Sequence, residues 1–419
     1  MFLCARRSAA ALLFPVVLTS AVTVAAEEPT APPTIAVTWQ DIVRLVDRHP
    51  QLAAGEYQVD AARAGVDAAG AAPNPTLEGT VGQARPRVGG GAGIEWGLAL
   101  TLPLGWVAQR GSRLDAAEAG VDVTLAENKA LRRDVLLQLR VLFWNLAYEQ
   151  ASVASLEALE AQTSALVQTV RRRVEKGEAR PVEVIRVEIE LEKVASELEA
   201  AHISLSARRA ELALWLDVPP GKELVATADL GALPVAVDRA TALARVRSTH
   251  PALAATRART RVLEAEVDVE RMARVPSFSL TGFADFELDQ RAYGAGVAVD
   301  LPIWNWNSGR IVEAEASLAA GKKQTEATAL DIDAAVIGAQ AACRASVATA
   351  SRFKDNVIPR SEVAASMLEK TYQIGEASLL EVIDARRTLL DAHRFYLNAL
   401  AQAQIDCCRL DALVGEESK

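Results

Sequence analysis

Residues 374–385 read IGEASLLEVIDA, and residues 176–187 read KGEARPVEVIRV. In each, a glycine interrupts a long helical pattern and a helix restarts at once. The later copy places two acids, Glu381 and Asp384, three residues apart on one helical face. Such a pair suits a catalytic site, a metal site or a solvated helix start. Its recurrence bears first on the fold, because an element carried twice marks a duplicated chain.

The rest of the sequence follows the same duplication. His49-Pro50 returns as His250-Pro251 and Pro75 as Pro276, both 201 residues on. GLALTLPL (97–104) returns as GVAVDLPI (296–303), and Gly177 as Gly375. The order holds with small insertions, so the chain is two copies of one unit. The boundaries expected are 27–216 for the first copy, 217–238 for a Pro- and Gly-rich linker, and 239–419 for the second. The linker is expected midway along the long helices, beside short helices at 39–48 and 239–249.

Each unit opens with a short helix broken at the His-Pro pair, since proline disfavours helical geometry in the residue before it. A helix of some 22 residues follows. The period then changes to two. PTLEGTVGQA (75–84) with GIEWGLALTL (93–102), and PSFSLTGFADFEL (276–288) with YGAGVAVDL (293–301), read as strand pairs. Each strand has about ten residues, the length of a membrane-crossing barrel strand. A soluble hairpin would read similarly. Four strands cannot close a barrel, so either several chains share one or these hairpins do not span. Trp106, Trp304 and Trp306 follow the strands, where they fit either a membrane–water interface or local packing at the strand–helix junction. Asn307 or Ser308 is expected to cap the next helix.

Two long helical hairpins complete the units, at about 107–216 and 308–414. Residues 108–175 lack proline, and 308–374 contain only Pro359, where a kink is expected. Val121, Leu125, Val135, Leu139, Leu142, Leu146, Val153 and Leu156 recur at threes and fours, a coiled-coil-like seam. The two quoted stretches are the hairpin tips.

Composition narrows the function. The net charge of −9 and the absence of a basic, aromatic-interleaved cluster argue against nucleic-acid binding. Residues 1–26 read as an export signal, with Arg6 and Arg7 ahead of an uncharged apolar run and small residues before Glu27. Beyond it no apolar run is long enough for a membrane-spanning helix. Of four cysteines, Cys4 lies in that signal; the remaining Cys343, Cys407 and Cys408 form an odd set without metal-ligand spacing, and are expected to be reduced, helix-packing residues. No nucleophile–base constellation or metal-ligand set is present, so neither an enzyme nor a cofactor is expected.

AAPNPTLEG (71–79), LPIWNWNSGRIVEAEA (301–316), RRAELALWLDVP (208–219) and YQIGEASLLEVIDARRTLLDA (372–392), in that architecture, resemble the TolC-like outer-membrane efflux proteins. The nearest branch is that of cobalt–zinc–cadmium resistance systems. The resemblance covers essentially the whole chain after residue 26. It implies a mainly α fold with a small β part. It also implies a homotrimer in which each chain lends four strands to one barrel in the outer membrane, with the long helices forming a tunnel through the periplasm. The implied partners are a periplasmic adaptor, an inner-membrane resistance-nodulation-division pump and outer-membrane lipid. The protein is then a passive duct, for heavy-metal cations or for organic small molecules. The competing reading from the residues alone is a periplasmic structural or adaptor-like protein without a barrel.

The resemblance also bears on the tips. The family's second tip carries acids that ring the tunnel entrance, at positions matching Glu381 and Asp384. Tyr372 matches a tyrosine that helps hold the entrance closed, while an arginine of some members is here Ala377. Threefold symmetry would gather six carboxylates, raising one another's pKa and attracting cations. A solvated helix start remains the other reading. The first tip differs, with Arg186 in place of Asp384 and with Arg180-Pro181 stiffening the turn. Both tips, at Gly177, Arg180, Pro181 and Glu183 and at Gly375 and Ala377, are expected to meet the adaptor.

Overall fold

The computed structural model describes residues 34–85, 89–219 and 222–415. The expected export signal at 1–26 lies outside the described residues. The elements run β1 (Thr34–Val37), α1 (Trp39–Leu45), α2 (Pro50–Gly70), β2 (Thr76–Ala84), β3 (Gly93–Pro103), α3 (Trp106–Glu175) and α4 (Pro181–Trp215). Then follow β4 (Glu223–Ala226), α5 (Arg239–Thr249), α6 (Pro251–Met272), β5 (Ser277–Phe286), β6 (Arg291–Asp300), α7 (Ser308–Arg352), α8 (Ile358–Gln373) and α9 (Leu379–Val414). The fold is mainly helical with a small β part. No helix among the described residues is long and apolar enough to cross a membrane.

Both His-Pro pairs break the chain between helices. His49 caps α2, its Nδ1 accepting from Gln51 N at 3.4 Å, and its ring stacks on Trp215. His250 opens α6 but is buried, and Arg133 Nη1 lies 2.7 Å from its Nε2. Burial, and then the Arg133 charge, push His250 down to about 4, so the ring is neutral at pH 7.

Strands β2, β3, β5 and β6 form one antiparallel sheet in that order. Its register sorts most side chains by polarity, with Gln83 and Arg291 at one end of the apolar face and Phe283 on the polar face as exceptions. Leu77 faces Leu100, Val81 faces Trp96, Leu98 faces Ala284, Leu102 faces Leu280, and Leu280 faces Val297. These residues share one apolar face, because alternate residues of a strand point the same way. Thr76, Glu78, Glu95, Thr101, Thr281, Asp285 and Asp300 fall on the other. A hydroxyl contact of 2.9 Å between Thr101 and Thr281 joins β3 to β5 on that polar side. Trp96 stacks on Phe286, and Tyr293 meets Phe286 edge-on, so the apolar face ends in an aromatic cluster far from Trp106, Trp304 and Trp306. β2 and β6 are edge strands.

Helix α3 has 70 residues, roughly 100 Å. Its seam is buried at Val135, Leu139, Leu142, Leu146, Val153 and Leu156, while Val121 and Leu125 are half-buried. A belt crosses the hairpins part-way along. β1 pairs in parallel with β4 of the linker, and Val37, Ile42, Val46 and Leu224 pack with Leu139, Phe143, Leu146 and Leu212. On the second hairpin Ala242 and Val246 of α5 pack with Val336, Cys343, Cys407 and Leu410. The β1–β4 pair was not foreseen, since four-residue strands carry too little periodicity to read.

Two expectations need correction. Cys343 and Cys407 are not reduced packing residues but form a disulfide between α7 and α9, with Cα atoms 4.7 Å apart. They lie equally far in sequence from Gly375, so an antiparallel hairpin turning there brings them face to face. An odd count says only that one cysteine is left over. That one is Cys408, a buried free thiol held above its ordinary pKa by burial, hence protonated and unreactive. Asn307 occupies the position before α7 with φ of 54°, but its side chain does not cap the helix. Its Nδ2 instead donates to Glu270 Oε2 at 2.6 Å and to the Glu270 carbonyl at 2.9 Å, tying α7 to α6. At Pro359 the irregularity takes the form of a π-turn, Phe353–Val357. Proline removes a helix donor and crowds the preceding carbonyl, which the wider turn accommodates.

Candidate functional site at the hairpin tips

Each tip is built by the same local chemistry. Gly177 and Gly375 have φ of 76° and 86°, a left-handed conformation that glycine adopts without a Cβ penalty. Gly177 N donates to Val174 O and Glu178 N to Arg173 O. Likewise Gly375 N donates to Tyr372 O and Glu376 N to Thr371 O. These bonds satisfy the last carbonyls of α3 and α8.

The restarts differ. Ser378 and Glu381 form a capping box on α9. Ser378 Oγ accepts from Glu381 N at 3.4 Å, and Glu381 Oε2 accepts from Ser378 N at 2.7 Å and from Ser378 Oγ at 2.8 Å. The hydrogen bond from the Ser378 backbone, then that from its hydroxyl, hold Glu381 below the usual carboxylate range. At the first tip Arg180 caps with backbone only, and Pro181 supplies the first helical residue. Glu183 is paired with Arg180 at 3.4 Å.

The two expected acids are therefore not equivalent. Glu381 is occupied by its own helix end. Asp384, one turn on, is exposed; the Thr388 hydroxyl donates to its backbone carbonyl, and its charge acts on the Arg387 guanidinium. Among the described residues no three His, Cys, Asp or Glu side chains are grouped to hold a metal.

Tyr372 joins the two tips. It is 4% exposed, in a cluster with Leu166, Val167, Val170 and Val187 of the first hairpin and Leu379, Val382 and Ile383 of the second. The Arg173 guanidinium sits 4.5 Å from its ring centroid and donates to its carbonyl. Its hydroxyl reaches Glu183 Oε2 at 3.5 Å. Burial, then the Glu183 charge, push the phenol up. Ala377 packs against this cluster.

Above the cluster an ionic ladder ties α9 to α4. Arg387 bonds Glu190, and Arg394 bonds Glu197, seven residues further on each helix. Burial pushes Glu190 up, but hydrogen bonds from Arg387 and Lys193 outweigh it and leave the carboxyl below its ordinary value. Within the hairpins the pairs Arg171–Glu188 and Glu369–Arg386 occupy matching positions about the two glycines with their signs reversed. Reading the sequence missed Arg173 and this ladder. The seven-residue spacing of Glu190 with Glu197 and of Arg387 with Arg394 was the available signal.

At the opposite end Trp304 is 91% and Trp306 60% exposed, while Trp106 is half-buried at the start of α3.

Comparison with known proteins bears on this architecture as a whole. A sequence model of a family described as outer membrane efflux protein matches residues 42–216 and again 242–416. The cobalt-zinc-cadmium resistance protein CzcC of Cupriavidus metallidurans is 28% identical over 369 residues, 87% of this chain and 86% of its own. Among solved structures, CusC matches with a TM-score of 0.76 and 17% identity over 93% of this chain and 95% of its own. The open state of the MtrE outer membrane channel of Neisseria gonorrhoeae matches with a TM-score of 0.73 and 17% identity, over 90% of this chain and 88% of its own. At such identities the structural likeness speaks for the fold. Matched in two successive copies, the chain belongs to the outer membrane efflux protein family: it is an efflux channel of the outer membrane, reaching into the periplasm, and not an enzyme.

Proposed function

We propose that the protein is the passive exit duct of a tripartite system exporting heavy-metal cations. Three copies close one barrel. A periplasmic adaptor engages the tips, and an inner-membrane resistance-nodulation-division pump supplies the energy. The observation that carries this reading is the four-stranded sheet, with one apolar face, an aromatic cluster at one end, tryptophans beyond the other and two open edges. A sheet with these features is stable when its edges pair with other chains and its apolar face meets lipid. The metal cargo is supported by the sequence likeness to CzcC, a cobalt-zinc-cadmium resistance protein by name.

In this reading Trp106, Trp304 and Trp306 anchor the barrel at the membrane interface. Gly177, Arg180, Pro181, Glu183, Gly375 and Ala377 shape the surface offered to the adaptor. Tyr372 latches the second tip to the first through Arg173 and Glu183, and Glu381 and Asp384 line the entrance. Asp384 is the freer charge, because Glu381 is engaged by Ser378.

Export is tested by deleting the gene and measuring tolerance to cobalt, zinc and cadmium beside a panel of organic toxicants. Lost metal tolerance supports the cargo, and lost tolerance to organics alone overturns it. A heat-modifiable trimer in outer-membrane fractions is expected. At the entrance, Glu381→Ala with Asp384→Ala is expected to raise single-channel conductance and weaken block by divalent cations. Unchanged conductance and block would remove the gate role.

A further inference from the structure

The two hairpins differ in how their helices are held together. Between Val153 and Leu166 the first hairpin buries Val153, Leu156, Thr163 and Leu166 of an unbroken helix. Counted from the turn glycines, the matching stretch of the second is 351–364, and there no residue is buried. This stretch contains the π-turn Phe353–Val357, whose Lys354, Asp355 and Asn356 are exposed. On the facing helix only Ala392 is buried between Ile383 and Leu400. Contacts with α9 here are few and lie at the surface: Glu362 with His393 at 3.8 Å, the half-buried Phe353 ring tilted against the exposed Phe395 ring at 6.3 Å between centroids, and, nearer the tip, the ion pair of Glu369 with Arg386 at 2.6 Å. Ion pairs at a solvated surface tolerate sliding better than interlocked apolar side chains.

Packing is dense on either side of the gap. Above it Ile332, Val336, Cys343, Cys407 and Leu410 form a buried cluster crossed by the disulfide. Below it lies the tip cluster around Tyr372. The first hairpin has Asn145 and Arg209 where symmetry about its glycine would place the two cysteines. The feature that loosens the helix and the bond that fixes it thus occur together, on one hairpin only.

We propose that the second hairpin bends at Phe353–Val357, with the Cys343–Cys407 bridge as its fulcrum. The bridge holds α7 and α9 in register about 50 Å from the tip. Movement of α8 along α9 is confined below it, and the belt and barrel above are spared. A π-turn absorbs such movement because its wider ring already departs from regular helix hydrogen bonding. The bend itself does not depend on the duct reading. Its part in opening the entrance does rest on that reading, and is tested separately.

Hydrogen exchange on the full-length trimer reads the bend directly, including any cover that neighbouring chains supply. Amides of 351–364 are expected to exchange about tenfold faster than those of 153–166. Equal protection in the two stretches overturns the hinge. In Cys343→Ser/Cys407→Ser, fast exchange is expected to spread upward into 332–350, and unchanged protection there overturns the fulcrum. Because that variant loses a disulfide, Glu362→Cys/His393→Cys supplies a test with the native bridge kept. Its oxidised cross-link is expected to lower open-channel current severalfold relative to the same variant before oxidation. Unaltered current at complete cross-linking would show that the bend does not serve the entrance.

Discussion

The hairpins of the two copies share a turn and differ in their interiors. At the tips the backbone bonds that close α3 and α8 repeat about Gly177 and Gly375. Higher up, α3 runs unbroken with a buried seam, whereas its counterpart is divided into α7 and α8 by a π-turn and is stapled by a disulfide. The shared element is what local sequence can build by itself, a helix stop followed by a restart. The divergence lies where each copy meets different neighbours. The first hairpin packs against the short strands of the belt through Leu139, Phe143 and Leu146, while the second packs against α5. Duplication therefore supplied one scaffold, and tertiary context allowed one arm to become rigid and the other jointed.

The difference can be broken most forcefully at the seam. Leu146 is fully buried, so Leu146→Ala is expected to cost about 2–5 kcal/mol. Met367 of α8 is 62% exposed, and Met367→Ala is expected to stay within about 0.5 kcal/mol. Denaturant unfolding of both variants checks the contrast, and similar costs would mean that the second arm is packed as tightly as the first.

A smaller effect separates the paired histidines at the helix starts. His250 is held near 4 in the folded chain, against an ordinary value of 6.5. Its contribution to stability is full above about 6.5, and is lost progressively as pH falls toward 4, because the unfolded chain takes up the proton first. Melting temperature is expected to fall over that window. His250→Asn, which can still occupy a helix cap but does not titrate, is expected to flatten the fall. An unaltered slope would place the acid sensitivity elsewhere.

The smallest expected effect concerns the restarts. Ser378→Ala removes one side of a capping box and is expected to cost about 1 kcal/mol, read as faster exchange in the first turn of α9. Arg180 offers no side-chain cap, so Arg180→Ser is expected to slow exchange at the start of α4 by a comparable margin. Opposite signs at the two tips would show that they share a turn without sharing a cap.

Much of this was legible beforehand for one reason: duplication doubles every weak signal. One alternating segment is ambiguous, but two pairs at matching offsets identify the strands β2, β3, β5 and β6. The tips were legible because glycine and proline act through local sterics. The disulfide was not, since the odd count of cysteines after residue 26 concealed a pair placed symmetrically about Gly375. Nor was the role of Arg173, which reads in sequence as one of three arginines ending a helix.

By itself the sequence determined the long helices, the four long strands and the hairpin turns, and that they occur twice, because periodicity, proline and glycine act over a few residues. Only the tertiary structure decided which side chains meet. It set Tyr372 under Arg173, tied Arg387 to Glu190 across the two hairpins, and bridged Cys343 to Cys407. Those partners lie up to about 200 residues apart along the chain, and no local rule of backbone sterics reaches that far.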